Sequence, residues 1–490
     1  MTALVFQTDA KAFFTWLRPE LTRQFDWLLM FAGNTFVVVC MVLIVSPWGS
    51  IRLGGENARP DYSYPGWFAM LFAAGMGIGL LFFGVLEPVQ HFQKPPLGVV
   101  PENLESARDI GLAATVFHWG LHPWSIYAIV SLSLAYFHYN HGLPLTPRSA
   151  FRPILGEAVW GWPGHIIDVL AVFATLFGLA TSLGFGAEQI AAGLNYLFDV
   201  PTTSLTKLLL ISAITLAAIA SVVAGLDAGV KRISETTMVL ALLLLLYVLI
   251  AGPTGALIAS LPENLVSYVS HLPALSNWVN REDTEFVHGW TTFYWAWWIA
   301  WSPFVGMFIA RVSRGRTVRE FVLCVTIIPT IVSLVWMSVF GGVALHQVIN
   351  DGYQGVVETI TVWQPELSLF KMLAPLPFGE WACVLAIVLV TLFFVTSSDS
   401  GSLVIDTITA GGNLEPPVAQ RVFWAAIEGL VAISLLLGGG LGALQAATIS
   451  MGIPFAVVLL VMCGCTLAEL HRELSTRKLE QPANKVAPTK

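Results

Sequence analysis

Residues 289–316 read GWTTFYWAWWIAWSPFVGMFIARVSRGR. Five of the chain's 18 tryptophans, Trp290, Trp295, Trp297, Trp298 and Trp301, fall within this stretch. Read as a helix, Tyr294, Trp297, Trp298, Trp301, Val305 and Phe308 recur at i, i+3, i+4, i+7, i+11 and i+14, which lines one face with large π-surfaces. Pro303 removes a backbone donor and is expected to kink the helix just beyond the cluster. An interfacial aromatic belt is the competing reading, but belts sit at the ends of spans and this cluster runs into the middle of one. An aromatic wall beside a helix irregularity, inside an apolar segment, is what capture of a quaternary ammonium by cation–π attraction requires.

The surrounding chain is 56% hydrophobic and 11% charged, against roughly 25% charged in an ordinary soluble domain. With a mean hydropathy of +0.73 this leaves an all-α, polytopic integral membrane protein. The net charge of −7 comes without any basic stripe to hold a phosphate backbone, so no nucleic-acid partner is expected. Cys40, Cys324, Cys383, Cys463 and Cys465 all lie in apolar spans and read as small buried hydrophobes. The N-terminus shows no basic segment followed by an apolar run and is not expected to be a signal peptide. No nucleophile–base or metal constellation converges, and an enzyme is not expected.

Apolar spans of helical length occur near 27–47, 64–86, 113–137, 164–194, 205–224, 236–253, 287–310, 322–345, 379–398, 420–438 and 444–466, about eleven transmembrane helices. If the loop after the first span is cytoplasmic, sixteen of the 24 basic residues gather on that side, among them Arg148, Arg311, Arg314, Arg316 and Arg319. The opposite side holds Lys94, Arg108, Lys207, Arg281 and Lys371, and Lys11, Arg18 and Arg23 precede the first span. Residues 1–26 are therefore expected outside, either because translation begins upstream or because the chain is an eleven-span variant. Outer loops 254–286 and 346–378 read as amphipathic helices along the membrane surface, and 467–490 as a short, loosely ordered cytoplasmic tail.

Setting 27–47 aside as a peripheral helix leaves ten spans, five in 64–253 and five in 287–466. The first of each five is abnormal: Gly75-Met76-Gly77-Ile78-Gly79 interrupts one, and the tryptophans with Pro303 mark the other. Interruptions at matching positions in two halves point to an inverted-repeat carrier with a midplane site. A second aromatic group, FHWGLHPWSIY at 117–127, supplies Trp119, Trp124 and Tyr127, with Pro123 expected to loosen the helix so that they face a common centre. His118 and His122 at i and i+4 are expected to be hydrogen-bonded helix histidines rather than metal ligands.

GMGIGLLFFGVLEP (75–88), FHWGLHPWSIYA (117–128) and the 289–316 stretch ending in RVSRGR resemble the betaine/carnitine/choline transporter family, over residues from about 25 to 466. The resemblance implies a LeuT-type 5+5 inverted repeat, usually a homotrimer, in the cell inner membrane. It implies a substrate box of Trp119, Trp124, Tyr127 and Trp298, with Trp297 and Trp301 on the same route.

For a coupling ion, Thr396 and Ser397 place two adjacent hydroxyls in mid-helix, and the carbonyls of Phe393, Ala73 and Met76 complete a sodium site; the resemblance supports those five positions. The competing reading is that the hydroxyls bond back to their own helix. Thr175 matches a position implicated in a second sodium site, with Tyr127 and Phe304, although Leu179 lacks the hydroxyl some relatives carry. Relatives that move choline with protons tend to have aspartate where this chain has Gly79. A neutral residue there favours a zwitterion, whose carboxylate meets the amides around Gly75, Met76 and Gly77. Glu87 and Asp399 read as structural, and Glu188 as a weak proton-site candidate. The expectation is sodium-coupled import of a betaine-type quaternary ammonium or sulfonium zwitterion by alternating access. A sodium-independent carnitine/betaine exchanger and proton-coupled choline uptake remain as alternatives, with a channel or non-transporting osmosensor more distant.

Overall fold

Where apolar residues run for 20 positions with hardly a charge, a chain in a bilayer must pair its backbone within the segment, and the helix does that. The computed structural model describes residues 6–75, 77–224 and 231–480, and helices dominate throughout. In chain order the long helices are α1 (Gln7–Val45), α2 (Tyr64–Gly75), α3 (Ile78–Gln93), α4 (Leu104–Trp119), α5 (Leu121–Tyr139), α6 (Trp162–Phe198), α7 (Ser204–Ala224), α8 (Lys231–Ala251), α9 (Thr254–Ser276), α10 (Thr292–Arg311), α11 (Val318–Ile349), α12 (Gly379–Thr409) and α13 (Val418–Glu480). The described residues contain no strand, only an isolated antiparallel bridge between Arg52 and Thr317. Seven of the helices are by themselves long and apolar enough to cross a membrane, which makes the chain a multi-pass membrane protein.

The helix ends differ from the sequence reading in ways that shape the interior. The glycine run does break its span: α2 stops at Gly75 and α3 starts at Ile78 after an extended Gly77. Span 113–137 is also broken, but at Gly120, which separates α4 from α5. Pro123 falls in the first turn of α5, where a missing N–H costs little, so Pro123 is not what loosens this segment. Tyr268 of α9, fully buried, accepts the freed Leu121 N–H on its hydroxyl at 3.0 Å. In α10 the chain stays helical through Pro303, and the irregular turn is a π-helical one at Val287–Thr291, ahead of the aromatic cluster. The two apolar spans expected at 420–438 and 444–466 lie in α13, which changes direction at Gly440, where φ is +64°, a conformation that glycine alone adopts freely.

The peripheral segments are more helical at both termini than the apolar spans alone indicate. Residues 7–26 are helical: α1 runs unbroken for 39 residues, roughly 58 Å at 1.5 Å per residue, about twice a bilayer's apolar thickness. It packs along α13 and α5. The stretch after Leu467, expected to be loose, stays helical to Glu480, with Tyr136 donating to Glu473 and Arg477 pairing with both Glu473 and Glu56. Residues 481–490 lie outside the described part. Loop 254–286 does contain one long helix, α9, whereas 346–378 holds only short ones, Gly355–Thr361 and Ser368–Leu373.

The RVSRGR turn fastens α2 to the start of α11. Arg316 is 3% exposed, and its guanidinium lies 4.3 Å from the Tyr64 ring centre and 4.6 Å from that of Trp67. It donates to Glu320 at 2.8 Å and to the Tyr62 carbonyl at 2.7 Å. Backbone bonds from Leu53 to Arg316 and from Gly315 to Leu53 tie the same turn to residues 51–53. A buried arginine persists only when its donors are satisfied in this way.

Candidate functional site

The breaks at Gly77 and Gly120 and the aromatic face of α10 converge on one cavity. Gly77, Gly79, Trp119, Trp124, Tyr127, Trp297, Trp298 and Trp301, all singled out from sequence, line it. Trp297 and Trp298 stack with ring centres 4.9 Å apart and planes 11° from parallel. Trp119 meets Trp298 edge-on at 4.9 Å, and Tyr127 meets Trp124 edge-on at 5.3 Å. Indole and phenol faces therefore gather around one space, the arrangement in which ring quadrupoles attract a cation.

The other aromatics of the stretch turn elsewhere. Trp295 stacks on His122 and approaches Gly33 of α1, and Trp290 packs on His91. Phe308, expected on the aromatic face, is 36% exposed: it lies on roughly the same side of the helix as Tyr294 but about 21 Å further along the axis, beyond the cavity. Of Gly75 only its place at the end of α2 is described, and Met76 lies outside the described residues.

Four lining residues carried no signal in the sequence. Ala74 and Leu80 are ordinary apolar residues, and Ser182 and Ser333 are single serines in apolar spans, indistinguishable there from helix-satisfied ones. Glu87, read as a structural acid, is the larger miss. It is fully buried, and Oε2 accepts the Trp119 indole N–H at 2.9 Å and the Tyr294 hydroxyl at 2.5 Å. Oε1 faces His118 Nδ1 at 2.5 Å and His91 Nε2 at 3.3 Å. His118 Nε2 lies 2.9 Å from the Thr291 hydroxyl, and the His118 carbonyl accepts the Trp298 indole N–H at 2.9 Å. Glu87, His91 and His118 are close enough together to hold a metal ion, yet every polar atom named here has a hydrogen-bond partner. His122 Nε2 bonds Asn34 at 2.9 Å, so both helix histidines are hydrogen-bonded, as expected in spite of their metal-ligand spacing.

Of the described residues expected to hold ions, Tyr127 lines the cavity, whereas Ala73, Thr175, Phe304, Phe393, Thr396 and Ser397 do not. Thr396 Oγ1 donates back to the carbonyls of Leu392 and Phe393, at 3.0 and 3.2 Å. A hydroxyl that donates keeps its lone pairs, so this bond leaves coordination of a cation open. Ser397, 9% exposed, follows on the same helix. Ile78 and Phe394 both approach Gly186 of α6, which brings the start of α3 and the middle of α12 to one place; Ala73 lies at the end of α2. Thr175 is fully buried and bonds back to Ala171 at 2.8 Å, and Phe304 packs edge-on against Trp301 at 5.3 Å. Glu188 pairs with Lys207 at 2.6 Å, which removes the unpaired acid its proton-site reading needed. Asp399 accepts from Ser221 at 2.7 Å, a structural contact.

Residues 1–475 match the model of the betaine/carnitine/choline family transporters. The chain belongs to the betaine/carnitine/choline transporter family. Members of this family are carriers, not enzymes, and the chain is a multi-pass membrane protein. It is 54% identical to a glycine betaine/proline/choline transporter of Vibrio parahaemolyticus, over 98% of this chain and 89% of that one. It is also 54% identical to glycine betaine transporter 1 of the same organism, over 96% and 91% of the two chains. A glycine betaine transporter of Bacillus subtilis is 42% identical over 94% of this chain and 88% of its own.

In this transporter Gly79 has a steric role that the charge comparison did not reveal. A Cβ there would lie 2.6 Å from Trp119 Cη2 and 3.2 Å from Trp297 Cη2, so α3 approaches the box too closely for any side chain. Trp119 cannot easily swing away while its N–H is held by Glu87. Gly79→Ala is therefore expected to cut uptake at least about tenfold at equal membrane abundance, since roughly 1.4 kcal/mol of ring displacement suffices. Uptake within twofold of wild type at equal abundance would show that the rings relax freely. An aspartate brings the same Cβ, so its effect on choline preference has to be read against Gly79→Ala.

Proposed function

We propose that this carrier imports a betaine-type zwitterion, glycine betaine foremost, by sodium symport and alternating access around the aromatic cavity. The observation that carries the reading is the enclosure of one cavity by Trp119, Trp124, Tyr127, Trp297, Trp298 and Trp301, with helix breaks opening onto it at Gly77. The rings suit a trimethylammonium group, and the polar groups on the same wall suit a carboxylate. Among the described residues Trp301 Nε1 has no hydrogen-bond partner, and Ser182 and Ser333 add hydroxyls. Relatives named for glycine betaine support the substrate class. The broken α2–α3 and the aromatic α10, each opening a set of five spans, support a LeuT-type inverted repeat. Residence in the inner membrane, as a homotrimer, belongs to the same reading. Sodium coupling rests on Thr396 and Ser397 with the carbonyls of Ala73, Met76 and Phe393, and a second ion on Thr175, Tyr127 and Phe304. Choline is a second candidate substrate, because one relative's name includes it.

Uptake of radiolabelled glycine betaine, carnitine, ectoine, dimethylsulfoniopropionate and choline into proteoliposomes, with and without an inward sodium gradient, tests the proposal. Glycine betaine is expected to accumulate only with the gradient and to outcompete choline. Equal uptake without sodium would favour an exchanger, and choline accumulation above betaine would overturn the zwitterion reading.

A further inference from the structure

Trp119 carries the six-membered edge of its indole into the cavity, where it nears the Gly79 backbone, and its N–H end away from it to Glu87. Glu87 does not line the cavity; it stands about one indole ring behind the wall. A carboxylate that accepts an indole N–H pushes electron density onto the ring, which strengthens the ring's attraction for a cation on its face. Little water reaches this place, since Glu87, His118 and Tyr294 are all 0% exposed, and in a low dielectric a charge acts over a longer range.

The hydrogen bonds around Glu87 are all satisfied with both neighbouring histidines neutral, which leaves the carboxylate's charge in place. His118 can donate through Nδ1 to Glu87 and accept at Nε2 from the Thr291 hydroxyl, for which a neutral imidazole suffices. His91 needs only one N–H to reach Glu87. Arg281, over the nearby Phe286 ring, is already paired through two bonds of 2.6 Å with Asp283.

We propose that Glu87 is a specificity-determining residue: a negative charge behind Trp119 that selects the cationic nitrogen of the substrate over a neutral group of the same shape. Glu87 would do this while holding Trp119 and Tyr294 in place. The proposal rests on the betaine reading above and predicts more than a positioning role. A residue that only positions rings would weaken all ligands of that shape alike.

The carbon isostere of glycine betaine, 3,3-dimethylbutanoate, has the same carboxylate and a neutral tert-butyl group. Inhibition of glycine betaine uptake by this compound, against unlabelled glycine betaine, gives the ratio of the two inhibition constants in proteoliposomes. In Glu87→Gln the preference for glycine betaine is expected to fall at least about fivefold, while Glu87→Asp, which keeps the charge, retains the wild-type ratio even if both ligands weaken. An unchanged ratio in Glu87→Gln, with both constants raised equally, overturns the proposal and leaves a positioning role. Should the glutamine variant not reach the membrane, Trp119→Phe is read instead. It cuts the N–H···carboxylate bond and keeps a ring, and an unchanged ratio there overturns the proposal equally. If the wild-type protein fails to transport glycine betaine at all, the substrate reading falls first, and that outcome is distinct.

Discussion

Proteoliposomes carrying the double variant Thr396→Ala/Ser397→Ala are expected to equilibrate glycine betaine but not to concentrate it under an inward sodium gradient. Sodium is a hard cation that takes oxygen ligands, and two of the five proposed are these hydroxyls. The remaining carbonyls are partly engaged by the helix itself, since the Phe393 carbonyl also accepts from Thr396. Loss of the Thr396 back-bond should cost α12 little, because such bonds in a helix interior are neutral to slightly unfavourable. Abundance and gel-filtration profile should therefore match wild type, and sodium-free exchange of substrate should persist. Normal concentrative uptake by the double variant would move the ion elsewhere in the fold.

Trp298→Leu is the second large effect. Trp298 is 7% exposed, stacks on Trp297 and Tyr294, and meets Trp119 edge-on, so it joins the walls of the box. Leucine keeps apolar bulk and removes the quadrupole, which contributes about 0.5–2 kcal/mol to a bound cation. The concentration for half-maximal betaine uptake is expected to rise about tenfold, or about 1.4 kcal/mol. The indole N–H also serves the His118 carbonyl near the end of α4, so leucine removes a structural contact as well. Trp298→Phe separates the two: it keeps a π-face and loses the N–H. An affinity close to wild type for phenylalanine and tenfold weaker for leucine assigns the effect to the ring; equal losses in both assign it to the hydrogen bond.

What the sequence by itself determined was set by composition and short-range spacing. A chain with so few charges and so many apolar spans has to be a membrane helix protein, since spanning helices satisfy their own backbone. The i, i+3, i+4, i+7 spacing of Tyr294, Trp297, Trp298 and Trp301 is a local property of one helix, so it survives into the fold. The glycines at 75–79 interrupt their helix for the same local reason. The tertiary structure alone decided which distant side chains share a charge or a bond. Glu87 meets His118 across 31 residues of sequence and Tyr294 across 207, and nothing near residue 87 announces either partner. Lys207 neutralises Glu188 from a different helix, which turned a proton-site candidate into an ion pair. The break at Gly120 is matched by a tyrosine hydroxyl from α9, so its position reflects packing rather than the proline three residues later. Helix α1 extends beyond its apolar span through residues 7–26, where Gly439 of α13 lies close to Lys11 and Phe14, a contact that only the tertiary structure supplies.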